Sequence, residues 1–132
     1  MKFNYQKYGS ALRPVIEIKL KSNKNSFLYE ALVDSGADIC LFHSEVGEAL
    51  GLDVTKGKRC EVFGVGGKAS LYYLHTIEIE VGGWIHKAEV GFMPDVAGRV
   101  ISYGLVGQKG FFENFIVKFD LPKEEIELKP KN

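Results

Sequence analysis

Apolar and polar residues alternate with period two along most of this chain. A segment so patterned can bury one face of a sheet but presents no continuous stripe to a helix partner. Val15-Ile16-Glu17-Ile18-Lys19-Leu20 is one such run. Lys21 to Asn25 is a polar turn, and Phe27 to Val33 returns as a second strand, which predicts a β-hairpin. Ile77 to Val81, then Gly82-Gly83, then Trp84 to Phe92 predicts another, with the Gly-Gly pair as its turn. Ile116 to Asp120 and Glu125 to Leu128 form a third pair around Leu121-Pro122-Lys123.

Two segments carry a helical pattern instead. Ser44 to Leu50 opens on Ser44 as an N-cap and stops at Gly51. Gln108 to Phe115 places Phe111, Phe112 and Phe115 on one helical face, where core packing is their ordinary role. The expected class is therefore mainly β with one or two short helices. A chain of 132 residues suits one domain, residues 1–132, and neither repeat, linker nor low-complexity stretch divides it.

Charge and cysteine usage narrow the function classes. Seventeen basic residues balance seventeen acidic ones, so the basic face that a nucleic-acid partner requires is not expected. Lys19, Lys21 and Lys24 read as a solvated hairpin end. Cys40 and Cys60 fit neither a disulfide framework nor a metal spacing. Cys40, inside Ile39-Cys40-Leu41-Phe42, reads as a small buried hydrophobe, and reduced thiols in the cytoplasm are the simpler expectation. His43, His75 and His86 also lack ligand spacing, so no metal site is expected. Met1 to Ser10 has no apolar core of a signal peptide, and no run approaches the roughly 20 apolar residues of a spanning helix. Trp84, next to the Gly-Gly turn, reads as hairpin packing.

The stretch Ala31-Leu32-Val33-Asp34-Ser35-Gly36-Ala37-Asp38 carries the chemistry. An apolar strand runs straight into an aspartate. A carboxylate leaving water must be paired, hydrogen-bonded or protonated. Ser35 supplies a hydroxyl, and Gly36 lets the chain turn sharply while offering an amide to the carboxylate. Asp-Ser-Gly also occurs in surface turns as an Asx-turn. A surface turn is polar around its tip, however, and here Leu32-Val33 precedes and Ile39-Cys40-Leu41-Phe42 follows.

Leu32-Val33-Asp34-Ser35-Gly36-Ala37 resembles the active-site motif of retropepsin-like aspartic proteases. Two further elements follow in that family's order. Glu61 to Ala69, with Gly64-Val65-Gly66-Gly67 at its centre, resembles the flap hairpin that folds over substrate. Leu105-Val106-Gly107 resembles the segment that packs under the active-site loop. The resemblance implies a closed β-barrel with a flap, catalytic roles for Asp34, Ser35 and Gly36, and substrate contacts from Ala37, Asp38, Gly64, Val65, Gly66, Gly67, Leu105, Val106 and Gly107. It implies neither metal nor cofactor. Where retroviral members carry Arg after the glycine, this chain has Gln108-Lys109, so the arginine that would pair with Asp38 is replaced by a neutral side chain that can still hydrogen-bond it. The same glycines loosely match a dinucleotide fingerprint, but Leu71 to Val81 alternates like a strand where that motif needs a helix, and no P-loop spacing is present.

Chemistry of this family uses two carboxylates sharing one proton, and this chain supplies one Asp-Ser-Gly. The resemblance therefore implies a homodimer with an Asp34 from each subunit, acting on a peptide or protein substrate. Met1 to Leu12 and Glu125 to Lys129 are the implied interface strands. A non-catalytic dimerisation or peptide-binding module with the same fold is the alternative.

Overall fold

The computed structural model describes residues 1–23, 25–63, 69–94 and 103–131. The glycine-rich stretch expected to form a flap, with Gly64, Val65, Gly66 and Gly67, lies outside the described residues. Twelve strands follow in order: β1 (Lys2–Asn4), β2 (Gln6–Tyr8), β3 (Ala11–Arg13), β4 (Val15–Ser22), β5 (Asn25–Val33), β6 (Leu41–His43), β7 (Lys58–Phe63), β8 (Ala69–Val81), β9 (Trp84–Met93), β10 (Gly104–Val106), β11 (Phe115–Asp120) and β12 (Glu125–Pro130). One α-helix, α1 (Ser44–Ala49), and one 3-10 turn (Val54–Lys56) complete the described elements.

The strands close into a barrel. Neighbours run β4-β5-β10-β6-β9-β8, and β8 returns to β4, with Leu20 opposite Ile79. Closure leaves no free edge around that ring of six, and β7 extends it as the second strand of the β7–β8 hairpin. All three expected hairpins form. At the Gly82-Gly83 turn both residues have positive φ, 54° and 89°, the conformation that a tight two-residue hairpin requires. Alternation sends Ile16, Ile18 and Leu20 of β4, Ile77, Ile79 and Val81 of β8, and Ala88, Val90 and Phe92 of β9 into one core. Cys40 is buried there too, and both cysteines are free thiols.

The structure departs from the sequence reading at three places. Residues 108–114 form turns rather than a helix. Gly110 has φ +94°, and the amides of Phe112 and Glu113 reach back five residues, to Gly107 and Gln108. The phenylalanines still pack inward, Phe111 and Phe115 fully and Phe112 in part. The helix α1 is capped not by Ser44 but by His43, whose Nδ1 accepts from the Glu45 amide at 3.1 Å; Ser44 is buried instead. Its stop at Gly51 holds, with φ +84°. Trp84 is not packed into its hairpin but is 49 % exposed. In a separate three-stranded sheet β12 lies between β1 and β11, with Phe3 opposite Ile126. Among the described residues no helix is long and apolar enough to cross a membrane.

Candidate active site

Strand β10 is inserted between β5 and β6, parallel to the first and antiparallel to the second. The loop from Asp34 to Cys40 therefore leaves β5, passes over the end of β10, and enters β6 on the far side. This crossing fixes the loop backbone. The Asp34 amide donates to the Val106 carbonyl at 3.0 Å, the Gln108 amide to Ala37 at 2.8 Å, and the Lys109 amide to Asp38 at 3.0 Å. Gly107 lies directly beneath. A Cβ there would sit 2.5 Å from both the Ala37 and Ile39 carbonyl oxygens, so only glycine lets the two segments cross.

Inside that frame the Asp34 carboxylate is half-buried, and its Oδ1 accepts from the Gly36 amide at 2.9 Å. Gly36 is small for a local reason, since a Cβ would press to 3.3 Å from the same oxygen. The Ala37 amide closes the turn onto the Asp34 carbonyl at 3.2 Å. One carboxylate oxygen is thereby held and oriented by the backbone, and the side chains of Ser35 and Asp38 are exposed beside it. Leu105, Val106 and Gly107 stand where the loop needs them, with Val106 fully buried and Leu105 half-buried facing the loop.

Gln108 does not reach Asp38. Its Nε2 donates to the Ser35 carbonyl at 2.5 Å, a further tie on the loop. Lys109 turns its amine to Glu89 at 3.2 Å. Neither residue that follows Gly107 engages the Asp38 carboxylate, and no ion pair to it exists among the described residues. Arg13, at the same end of the barrel, is taken by Tyr103: the guanidinium bonds the phenol oxygen at 2.5 Å and lies 5.6 Å above the Tyr8 ring.

Alongside the loop opens a pocket of about 290 Å³, walled by Ala37, Asp38, Ile39, Leu41, Tyr72 and Leu105. Sequence reading missed Ile39, Leu41 and Tyr72 as site residues. Tyr72 comes from β8, and its ring lies over Gly91, where a Cβ would meet the Tyr72 ring at 2.8 Å and the Leu41 side chain at 2.9 Å. The one signal in the sequence was the strand alternation beyond Gly66-Gly67, which puts Ser70, Tyr72 and Leu74 on a common face. Burial raises the Tyr72 phenol above its ordinary range, helped by Cys60 across the β7–β8 pair and by the Asp38 charge. Beneath the loop, burial pushes the Cys40 thiol up to about 11, and its Sγ donates to the Lys109 carbonyl at 3.4 Å.

Solved structures share this fold. A retropepsin-like aspartic protease from Rickettsia conorii superposes with a TM-score of 0.69, covering 97% of this chain and 89% of its own at 18% identity. The EIAV protease, determined with the inhibitor HBY-793, superposes with a TM-score of 0.54 over 77% of this chain and 88% of its own at 19% identity. At such identities the likeness is one of fold, and the fold is retropepsin-like. No curated protein sequence matches the chain. The aspartyl protease family model matches residues 18–109, which takes in the Asp34 loop, the β7–β8 pair and Gly107. With well over half its length inside that match, this chain belongs to the aspartyl protease family.

Proposed function

We propose that the protein is an aspartic endopeptidase that works as a homodimer, with the Asp34 carboxylates of two chains meeting across a two-fold axis. The observation that carries this reading is the held carboxylate. Asp34 ends a barrel strand, one oxygen is fixed by the Gly36 amide, and the loop is strapped to β10 on both sides. A chain with one such carboxylate needs a second copy to complete a dyad.

In the dyad one carboxyl is ionised and one is protonated, because two like charges about 3 Å apart do not ionise together. The ionised group removes a proton from a water as its oxygen bonds to the scissile carbonyl carbon. The protonated group gives its proton to the developing oxyanion. Collapse of the tetrahedral intermediate breaks the C–N bond, and a dyad proton passes to the leaving amine. Ser35 and Gly36 support this geometry, and the flap glycines Gly64, Gly66 and Gly67 with Val65 would cover an extended peptide from above. The free thiols of Cys40 and Cys60 fit a reducing compartment such as the cytoplasm.

The test is cleavage of a diverse peptide library at high protein concentration between about pH 4 and 7, where a dyad of this kind operates. Wild type cuts, with a bell-shaped pH profile and inhibition by a statine-type transition-state mimic. Asp34→Asn keeps fold and dimer and loses turnover by roughly 10²- to 10⁴-fold or more. A rate rising monotonically into alkaline pH contradicts the dyad. Absence of any cleavage by a folded, dimeric protein transfers the assignment to a peptide-binding module.

A further inference from the structure

Arg13 ends the N-terminal hairpin and reaches across the strand that delivers Asp34. Strands β2 and β3 form a two-stranded sheet of their own, with Gln6 opposite Arg13 and Tyr8 opposite Ala11. Such a hairpin is marginal by itself in water, and a side-chain cluster docks it on the barrel. The Arg13 guanidinium donates to the Tyr103 phenol oxygen at 2.5 Å and lies 5.6 Å above the Tyr8 ring. The Tyr8 and Tyr103 rings meet edge to face at 5.2 Å. Arg13 leads into β4 and Tyr103 leads into β10, and β5 lies between those two strands. We infer that Arg13 is a positioning residue for the Asp34 carboxylate, acting through Tyr103 to hold β4 and β10 against the end of β5. The inference rests on the reading of Asp34 as the catalytic group.

The end of β5 is anchored by two backbone bonds, one to each strand that the pair joins. The Val33 amide donates to the carbonyl of Pro14, next to Arg13, at 2.9 Å. The Asp34 amide donates to the carbonyl of Val106, on the strand that follows Tyr103, at 3.0 Å. Adjacent strands lie about 4.8 Å apart, so β4 and β10 stand roughly 10 Å from each other across β5. An extended arginine and a tyrosine together cover that span. The planar guanidinium bonds one ring's hydroxyl while it stacks on the other ring, which a lysine amine cannot do with the same geometry. Burial, and after it the Glu30 carboxylate of β5, raise the Tyr8 phenol, in keeping with a cluster that lies over the outer face of β5. Loosening the clamp lets β4 and β10 drift from β5 and moves the carboxylate that the two bonds orient.

Two readouts test the clamp, and the second needs no turnover. The first is kcat and KM for a cleaved peptide with wild type, Arg13→Ala, Tyr103→Phe, the double variant and Arg13→Lys. The second is amide hydrogen exchange at Val33 and Asp34 in the same proteins, with the amides of the β8–β9 pair as the measure of global stability. Tyr103→Phe removes a single hydroxyl, so it tests the bond even where Arg13→Ala fails to fold. The expected result is a kcat lower by roughly 3- to 10-fold in each single variant with KM nearly unchanged. The double variant is no worse than the weaker single one, because both remove the same contact, and Arg13→Lys recovers part of the loss. Exchange at Val33 and Asp34 quickens by a similar factor while the β8–β9 amides hold. Lys7→Ala, an exposed change on the same hairpin, leaves both readouts as they are. Unchanged exchange at Val33 and Asp34 overturns the proposal, as do losses that multiply in the double variant. A kcat loss in Arg13→Ala that raising the protein concentration restores also overturns it, since the arginine then serves subunit association. Quickened exchange at those two amides in a protein that cleaves nothing upholds the clamp and removes the protease reading.

Discussion

Replacing Gly107 by alanine tests how the Asp34 loop is held. The added methyl would sit 2.5 Å from the Ala37 and Ile39 carbonyl oxygens, whereas non-bonded heavy atoms settle roughly 3.5 Å apart. Backbone lies on both sides, so the loop and β10 must part by roughly 1 Å. Overpacking of this kind costs about 1–3 kcal/mol. The amide bonds from Gln108 to Ala37 and from Lys109 to Asp38 span the same gap, and each lost bond adds about 1 kcal/mol. The total is about 3–5 kcal/mol out of the 5–15 that roughly bounds a domain's stability. Misplacing a catalytic group by about 1 Å costs on the order of 10²-fold in rate. Urea unfolding reads the first quantity and peptide turnover the second. Gly83→Ala is the control: its φ is +89° but nothing lies within 4 Å of its added methyl, so only the left-handed backbone cost of about 1–2 kcal/mol applies and turnover holds. A Gly107→Ala protein within about 1 kcal/mol of wild type, cleaving normally, would refute the crossing as the reason for this glycine.

Three further outcomes are expected. Because burial holds the Cys40 thiol up to about 11, the folded state binds that proton more tightly than the unfolded chain. Its contribution is full below about pH 8.5–9 and is lost as pH rises through the folded value, about 2–3 kcal/mol in all; urea melts across that window should be flatter for Cys40→Ala than for wild type. Gln108→Glu sets an ionised carboxylate against the Ser35 carbonyl, so turnover falls near neutrality and recovers below about pH 4.5 as the side chain regains a donor proton; a loss independent of pH would show that the bond does not position the loop. Phe111→Ala removes a fully buried ring that contacts Phe112 and Phe115 at centroid distances of 5.7 and 5.1 Å and should cost about 3–5 kcal/mol in urea unfolding, well above Phe112→Ala.

Much of this protein was legible in its residues because the relevant forces are local. Period-two alternation named β4, β5, β8, β9, β11 and β12, since side-chain direction along a strand needs no knowledge of the partner. The Gly82-Gly83 turn and the Gly51 helix stop follow from positive φ, a property of single residues. Asp34-Ser35-Gly36 stood out because an acid beside an apolar strand carries a desolvation cost wherever it folds.

Tertiary structure decided the rest. Alternation says which face is buried but not against what, so neither the insertion of β10 between β5 and β6 nor the pairing of β1 with β12 inside one chain could be read along the sequence. The helical spacing of Phe111, Phe112 and Phe115 misled because those rings serve the core equally well from turns. Once Gly110 takes φ +94°, the backbone bonds of a helix are unavailable. Tyr72 reached the pocket only because β9 presents Gly91 beneath its ring. Gln108 could have bonded Asp38 or the loop backbone, and the crossing of the loop over Gly107 placed the Ser35 carbonyl within its reach. Local chemistry chose the carboxylate, and long-range packing chose its surroundings.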